Sequence, residues 1–226
     1  MFPFGSFSQQ VEDSSGSSAE VGADLLSRYV WRGLSLSPGP NIQPYLDFTY
    51  KGFAVGAWSS YGISDQYAEV DFYLSCNIEV LTVSITDYYT EDELNLSRFD
   101  HFNWKNKSTN HALEASLDYS LPGKIPLSIK AATLFYGNDR NQEGNLFYST
   151  YIELSYPFQL KDNHFNIAIG TTPSEGLYAS EASIVHVGLS ATKNIRVSEQ
   201  FSVPLSVNIV SNPKREDIFV WLAMSF

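Results

Sequence analysis

Cysteine, basic residues and long hydrophobic runs are all scarce in this sequence, and each shortage excludes a class of protein. The single cysteine, Cys76, cannot form an internal disulfide. Only 14 Lys and Arg stand against 25 Asp and Glu, a formal net charge of −11. This balance leaves no basic patch to neutralise phosphates and argues against nucleic acid as a partner. No hydrophobic run approaches the roughly 18 residues that a membrane-spanning helix needs, which excludes helical spans only.

Charged residues are also sparse, whereas aromatic residues are plentiful. Asp, Glu, Lys and Arg make up 17% of the 226 residues, against about 25% in a typical soluble domain. Phe, Tyr and Trp make up 15%, with 15 Phe and 14 Tyr against 4 Trp. Strands favour aromatic side chains, so the composition indicates one large all-β domain.

The last stretch of the chain alternates with a period of two. Ile218, Val220, Leu222, Met224 and Phe226 fall on one face of a predicted strand, which is wholly apolar. A bare apolar edge is a hazard in a soluble domain, whereas a closed membrane sheet can pair it with the first strand. The same alternation predicts about 12 strands, at 19–32, 42–50, 53–61, 67–78, 80–90, 111–120, 126–136, 146–156, 164–171, 183–192, 201–210 and 218–226.

The connections between these strands are alternately short and long. An even strand count with short turns at one rim and long loops at the other is typical of outer-membrane barrels with periplasmic termini. We therefore predict an all-β fold: a single closed antiparallel up-and-down transmembrane β-barrel over residues 19–226. Residues 1–18 are expected to be a signal-peptide remnant or a flexible N-terminal arm, because 1–8 are apolar and 9–18 are rich in Ser, Gly and acid.

The distribution of charge and aromatic residues indicates which face is outside. The apolar faces hold one charge, Asp87, near a strand end. Aromatic residues on these faces cluster at strand ends, as in a membrane girdle. The alternative is a soluble sandwich or jelly roll with a polar exterior. The predicted girdle comprises Tyr29, Trp31, Tyr50, Phe53, Tyr119, Tyr156 and Phe226.

Part of the chain resembles a known family of outer-membrane proteins. Residues 27–35, with the sequence SRYVWRGLS, are followed by the Gly52-Phe53 hairpin and by the segments 70–73 and 86–89. Over roughly the first ninety residues these features are similar to the TorF-type porins. The resemblance implies an outer-membrane barrel that passes small solutes passively. It also implies that Phe226 is the C-terminal aromatic residue read by the barrel-assembly machinery.

The polar faces of the predicted strands carry ionisable residues that would line the barrel interior. Arg28 and Arg32 are expected to approach Asp47 from the neighbouring strand. The set could form a charged constriction with a weak cation preference, or an ion-pair network that fills a narrow barrel. The predicted pore-lining residues are Asp24, Arg28, Arg32, Asp47, Glu69, Asp71, Glu114, Asp118, Lys130 and Glu153.

Three functional hypotheses follow from this pattern. The first is a porin for small solutes, and the second is a non-conducting accessory barrel bound to an outer-membrane protein partner. The third, a rim-sited lipid enzyme using His111, is disfavoured because Glu114 and Ser116 fall on the opposite face. No catalytic residue, metal ligand or cofactor is predicted, because the acidic run 90–93 lacks the spacing of a calcium loop. The expected partners are outer-membrane lipid and lipopolysaccharide.

Overall fold

The computed structural model describes residues 11–13, 16–92, 100–123, 125–199 and 201–226. Most of segment 1–18, for which we predict a signal remnant or an arm, lies outside the described residues. Among the described residues, no helix is long and apolar enough to cross a lipid bilayer. The strands are β1 (Val11–Asp13), β2 (Ser17–Leu26), β3 (Tyr29–Trp31), β4 (Leu34–Ser37), β5 (Asn41–Tyr50), β6 (Phe53–Gly62), β7 (Tyr67–Ile78), β8 (Leu81–Asp92), β9 (His111–Ser120), β10 (Ser128–Gly137), β11 (Thr150–Leu160), β12 (Asn163–Thr172), β13 (Ser183–Arg196), β14 (Ser202–Asn212) and β15 (Asp217–Ser225).

Twelve of these strands, β2 and β5 to β15, form a closed antiparallel up-and-down barrel, which confirms the predicted fold class. Each strand pairs with its sequence neighbour, and β2 pairs with β5 along its whole length. The barrel closes where β15 pairs with the last three residues of β2, from Ser225↔Asp24 to Ala223↔Leu26. The short strand β1 pairs with the other end of β2, at Ser17 to Ala19. Closure leaves no free sheet edge around most of the barrel.

The outer surface of the barrel is apolar on all sides, because alternate residues of every strand point outward. On β5 the outward residues Leu46 and Phe48 are about half exposed, whereas the inward residue Tyr45 is 4% exposed. The same pattern recurs from β6 to β15, with Leu74, Ile169 and Leu222 among the exposed residues. Soluble monomers rarely expose continuous apolar patches beyond a few hundred Å². The exterior is therefore suited to hydrocarbon rather than to water.

Two connections at the loop rim depart from the sequence prediction. The first predicted strand, 19–32, ends at Leu26, and residues 29–37 form the separate hairpin β3–β4, which is not part of the barrel wall. The eighth predicted strand, 146–156, begins only at Thr150, because Tyr148 has a positive φ of 54°. Alternation continues through both segments, so the sequence pattern alone does not reveal where the chain leaves the wall.

Residues 100–110 fold back over the outside of the barrel near the loop rim. They cover Asp87, whose carboxylate oxygens both lie 2.9 Å from Nδ1 of His111 on the neighbouring strand. The other ring nitrogen of His111 lies 2.8 Å from the carbonyl oxygen of His101, and the ring of Trp104 stacks on the imidazole at 3.9 Å. The single charge on the apolar face is thus partnered and covered rather than exposed to lipid.

Candidate functional site: the barrel interior

The hairpin β3–β4 folds into the barrel and crosses its interior. Its two-residue turn, Arg32-Gly33, has positive φ at both positions, 50° and 80°, as in a type I′ turn. A Cβ atom at Gly33 would lie 1.9 Å from the carbonyl oxygen of Val185, so only glycine fits where the tip meets β13. The buried Asn212 side chain, at the end of β14, donates a hydrogen bond of 3.1 Å to the Gly33 carbonyl.

Arg32, at the hairpin tip, is held by a buried carboxylate and by aromatic rings. Its Nη1 and Nη2 atoms donate to both oxygens of Glu114, at 2.5 and 2.8 Å, and Nη1 also donates to the Tyr178 hydroxyl at 2.6 Å. The guanidinium lies 4.4 Å from the ring centre of Trp31 and 4.8 Å from that of Tyr151. A fork-to-fork pair of this kind has a defined orientation as well as strong hydrogen bonds. It therefore fixes the tip relative to β9.

Aromatic contacts connect the hairpin to opposite walls of the barrel. On one side, the Tyr29 ring lies 5.6 Å from Trp58 of β6 and 5.7 Å from Tyr67 of β7. On the other side, Val30 packs against Val210 of β14 and Trp221 of β15. The hairpin thus spans the interior from wall to wall and narrows it strongly at the loop side.

The base of the hairpin is held by Asp65, in the loop between β6 and β7. Its carboxylate accepts hydrogen bonds from the Ser37 hydroxyl at 2.5 Å, the Tyr67 backbone N–H at 3.2 Å and the Gly39 backbone N–H at 3.3 Å. Partial burial raises the pKa of Asp65, but these three hydrogen bonds outweigh it and hold the pKa below its ordinary value. The ionised carboxylate therefore stabilises the inward position of the hairpin.

Among the cavities of the described residues, two lie against the hairpin and another lies among the loops. The two on its inner side have volumes of about 130 and 90 Å³ and both reach Trp31, Arg32 and Lys130. The third, about 380 Å³, opens among the loops and is lined by Asp139 and Leu177.

The other predicted pore-lining carboxylates also point into the barrel, most of them towards a hydroxyl group. Glu69 accepts from Tyr67 at 2.7 Å, and Glu153 accepts from Tyr151 at 2.5 Å. Asp47 accepts from Tyr73. Asp118 on β9 and Lys130 on β10 form a salt bridge between neighbouring strands, with Nζ of Lys130 2.7 Å from Oδ2 of Asp118. Within the described residues, no salt bridge reaches Asp24, Asp47, Glu69 or Asp71.

Two expectations for the first strand are wrong, for one reason. Arg28 and Arg32 do not approach Asp47: the Arg28 guanidinium lies over the Phe219 ring at 5.7 Å, and Arg32 binds Glu114. Tyr29 and Trp31 are not in a membrane girdle but are buried in the hairpin core. Each error follows from the chain leaving the wall after Leu26.

The remaining girdle candidates lie on the outer surface near the turn rim. Each of them has an exposed side chain, and whether they contact the membrane interface stays a prediction. They are Tyr50, Phe53, Tyr119, Tyr156 and Phe226.

Sequence reasoning missed three residues that shape the interior. Tyr178 comes from a polar loop, Trp58 sits on a wall strand, and Asn212 ends β14. Tyr178 and Asn212 carried no periodic signal. The Arg32-Gly33 dipeptide between two short alternating segments was the available sign of a hairpin, because glycine after a polar residue favours a type I′ turn.

The geometry around His111 is not that of a nucleophile–base pair. His111 points outward, where Asp87 and the His101 carbonyl engage its ring nitrogens. Glu114 faces the interior on the same strand and binds Arg32. A lipid enzyme that used His111 would need a nucleophilic side chain hydrogen-bonded to the imidazole. The structure places the Asp87 carboxylate and the His101 carbonyl at the two ring nitrogens instead.

Comparison with known proteins finds several chains of solved structures that match this one. One of them is OccK5 (OpdH) of Pseudomonas aeruginosa, which matches with 12% sequence identity and a TM-score of 0.39 over 96% of this chain and 68% of that one. No protein-family model matches the chain, and no curated protein matches it.

Proposed function

We propose that this protein is an outer-membrane channel that passes small solutes, with a preference for cations, through an interior constricted by the β3–β4 hairpin. The observation that carries the proposal is the combination of a closed 12-stranded barrel, an apolar exterior and an interior lined by ionisable side chains. Bilayers accept closed barrels because every backbone group in the wall is paired. A polar interior of this kind provides a path for hydrated solutes.

The charges inside the barrel favour cations. Arg32 is offset by Glu114, and Lys130 contacts Asp118. Asp24, Asp47, Glu69 and Asp71 add acid without a salt bridge among the described residues. Rings of carboxylates along a pore select for cations by their field.

A non-conducting accessory barrel is the second candidate, and the hairpin is the observation that favours it. The hairpin contacts both walls, and the cavities on its inner side are only about 130 and 90 Å³. A barrel that never opens would serve as a structural subunit with an outer-membrane protein partner. The family resemblance to TorF-type porins, periplasmic termini, and contacts of Phe226 with the assembly machinery stay predictions.

Conductance in planar lipid bilayers tests the proposal. We expect the purified full chain to give small unit currents and, across a KCl gradient, a reversal potential of the sign that K⁺ permeation produces. Trp31→Ala, which removes a ring from the hairpin core, should raise the unit conductance. Phe48→Ala, which changes an outward side chain of β5, is the matched control and should leave it unchanged.

The outcomes separate the two candidates. Currents that increase in Trp31→Ala support the constricted channel. If neither the wild-type protein nor Trp31→Ala conducts, and circular dichroism shows that both are folded, the constricted channel is overturned and the accessory barrel is supported.

A further inference from the structure

One interior carboxylate, Asp71, lies between two aromatic side chains at the same level of the barrel wall. Trp58 on β6 and Tyr88 on β8 are its direct cross-strand partners. Directly opposed residues on neighbouring strands have Cβ atoms about 5 Å apart. All three side chains line the 130 Å³ cavity on the inner side of the hairpin. The register therefore places a carboxylate with an aromatic side chain on either side.

The hairpin adds two more rings to this cavity. Tyr29 lies 5.6 Å from Trp58 with the ring planes tilted by 54°, and Trp31 lies 5.6 Å from Tyr88 at 65°. Both hairpin rings line the same cavity as Asp71. We call these five residues, Tyr29, Trp31, Trp58, Asp71 and Tyr88, the aromatic box.

Asp71 is buried without a full set of partners. Its side chain is 6% exposed, and its Oδ1 atom has no hydrogen-bond partner among the described residues. A buried polar atom that lacks a partner costs free energy, and the cost is larger for a charged group. An oxygen of this kind on a cavity wall is an acceptor for a ligand that carries a donor group or a positive charge.

The barrel already holds one organic cation by the same chemistry. The Arg32 guanidinium lies over the rings of Trp31 and Tyr151 and binds the carboxylate of Glu114. Aromatic faces attract cations through their quadrupole, most strongly where water is excluded. The aromatic box offers the same two ingredients, a carboxylate and ring faces, around open space.

We propose that the aromatic box binds a small organic ammonium ion, with the charged nitrogen at Asp71 and its alkyl groups against the rings. This inference rests on the proposed function and names the class of solute that the channel selects. A metal ion fits the site poorly, because hard cations need about six oxygen ligands and the box supplies rings on most sides. The cavity has a volume of about 130 Å³, well above the roughly 10–15 Å³ that a single water molecule needs, so it has room for a larger ligand.

Calorimetric titration of the full chain in maltoside detergent tests the proposal, with choline as the probe. Its neutral carbon isostere, 3,3-dimethylbutan-1-ol, has the same shape without the charge. We expect choline to bind and the alcohol to bind at least about tenfold more weakly, because a desolvated cation–π and carboxylate contact is lost. Asp71→Asn should weaken choline about tenfold, and Trp58→Leu about threefold.

The matched control is Glu153→Gln, which makes the same acid-to-amide change in the neighbouring cavity. It should alter choline affinity by less than about twofold, because its carboxylate lies outside the aromatic box. Equal binding of choline and the alcohol, or an unchanged affinity in Asp71→Asn, overturns the site. Circular dichroism of each variant verifies that the barrel is folded.

Bilayer currents keep this proposal separate from the proposed function. A barrel that conducts K⁺ but does not bind choline would support the proposed channel and overturn the aromatic-box site. A barrel that binds choline but carries no current would support the aromatic-box site and overturn the proposed channel.

Discussion

At the scale of single residues, the buried Arg32–Glu114 pair gives the sharpest stability prediction. The two side chains are 6% and 2% exposed, so removing one partner leaves the other charge desolvated. We expect Arg32→Gln and Glu114→Gln each to lower the free energy of unfolding by about 3–5 kcal/mol. Urea unfolding in detergent, followed by tryptophan fluorescence, measures the loss. The double variant should lose clearly less than the sum of the two, and strict additivity would contradict the pairing.

Gly33 gives a second prediction at this scale, with a control supplied by the chain itself. Gly33 and Gly144 have nearly the same φ, 80° and 83°, but a Cβ atom at Gly144 would meet nothing within 4 Å. Both alanine variants bear similar backbone strain, whereas Gly33→Ala also drives a methyl group into the Val185 carbonyl. We expect Gly33→Ala to move the hairpin and raise bilayer conductance, while Gly144→Ala conducts as the wild type does. Equal conductance of the two variants would contradict the conclusion that only glycine fits at the hairpin tip beside Val185.

At the scale of the element, the hairpin as a whole should respond to acid. The pKa of Asp65 is lowered in the folded protein, so its contribution to hairpin stability is fully present above the ordinary value of 3.8. The contribution is lost as the pH falls through the lowered pKa, because the protonated acid no longer accepts all three hydrogen bonds. We expect conductance to rise below about pH 4. Asp65→Asn should remove most of this pH dependence, and a variant with an unchanged pH profile would exclude Asp65 as its source.

The hairpin is also the part of the fold that the sequence pattern did not predict. Alternation predicted the twelve wall strands because each buries or exposes every second residue. The same alternation continued from Leu25 to Tyr29 and Trp31, so it could not distinguish a strand that stays in the wall from one that turns inward. The partners Glu114 and Tyr178 lie 82 and 146 residues from Arg32. Nothing local in the sequence encodes contacts over that separation, although the acidic interior itself was predictable from the polar faces.

At the scale of the whole molecule, the apolar exterior predicts a depth-dependent response to charge. Leu46 points outward from the middle of β5, whereas Tyr50 points outward at its end. A lysine near the bilayer midplane costs about 2–4 kcal/mol and one near the interface about 0–1. We expect Leu46→Lys to lose the larger amount in folding titrations into lipid vesicles, with Tyr50→Lys as the matched control. Equal losses would contradict a membrane-embedded wall.

The hairpin is joined at both ends to adjacent wall strands, since β3 follows β2 and β4 precedes β5. Only residues 27–40 separate the two attachment points, so a hairpin that leaves the interior stays close to the barrel. It can fold back inside without the help of a second molecule. Closure of a tether this short is fast, with loop contacts of about ten residues forming within ~100 ns once the chain is free. A current through this barrel should therefore flicker, and the opening and closing rates of a single channel should not depend on how many copies the membrane holds.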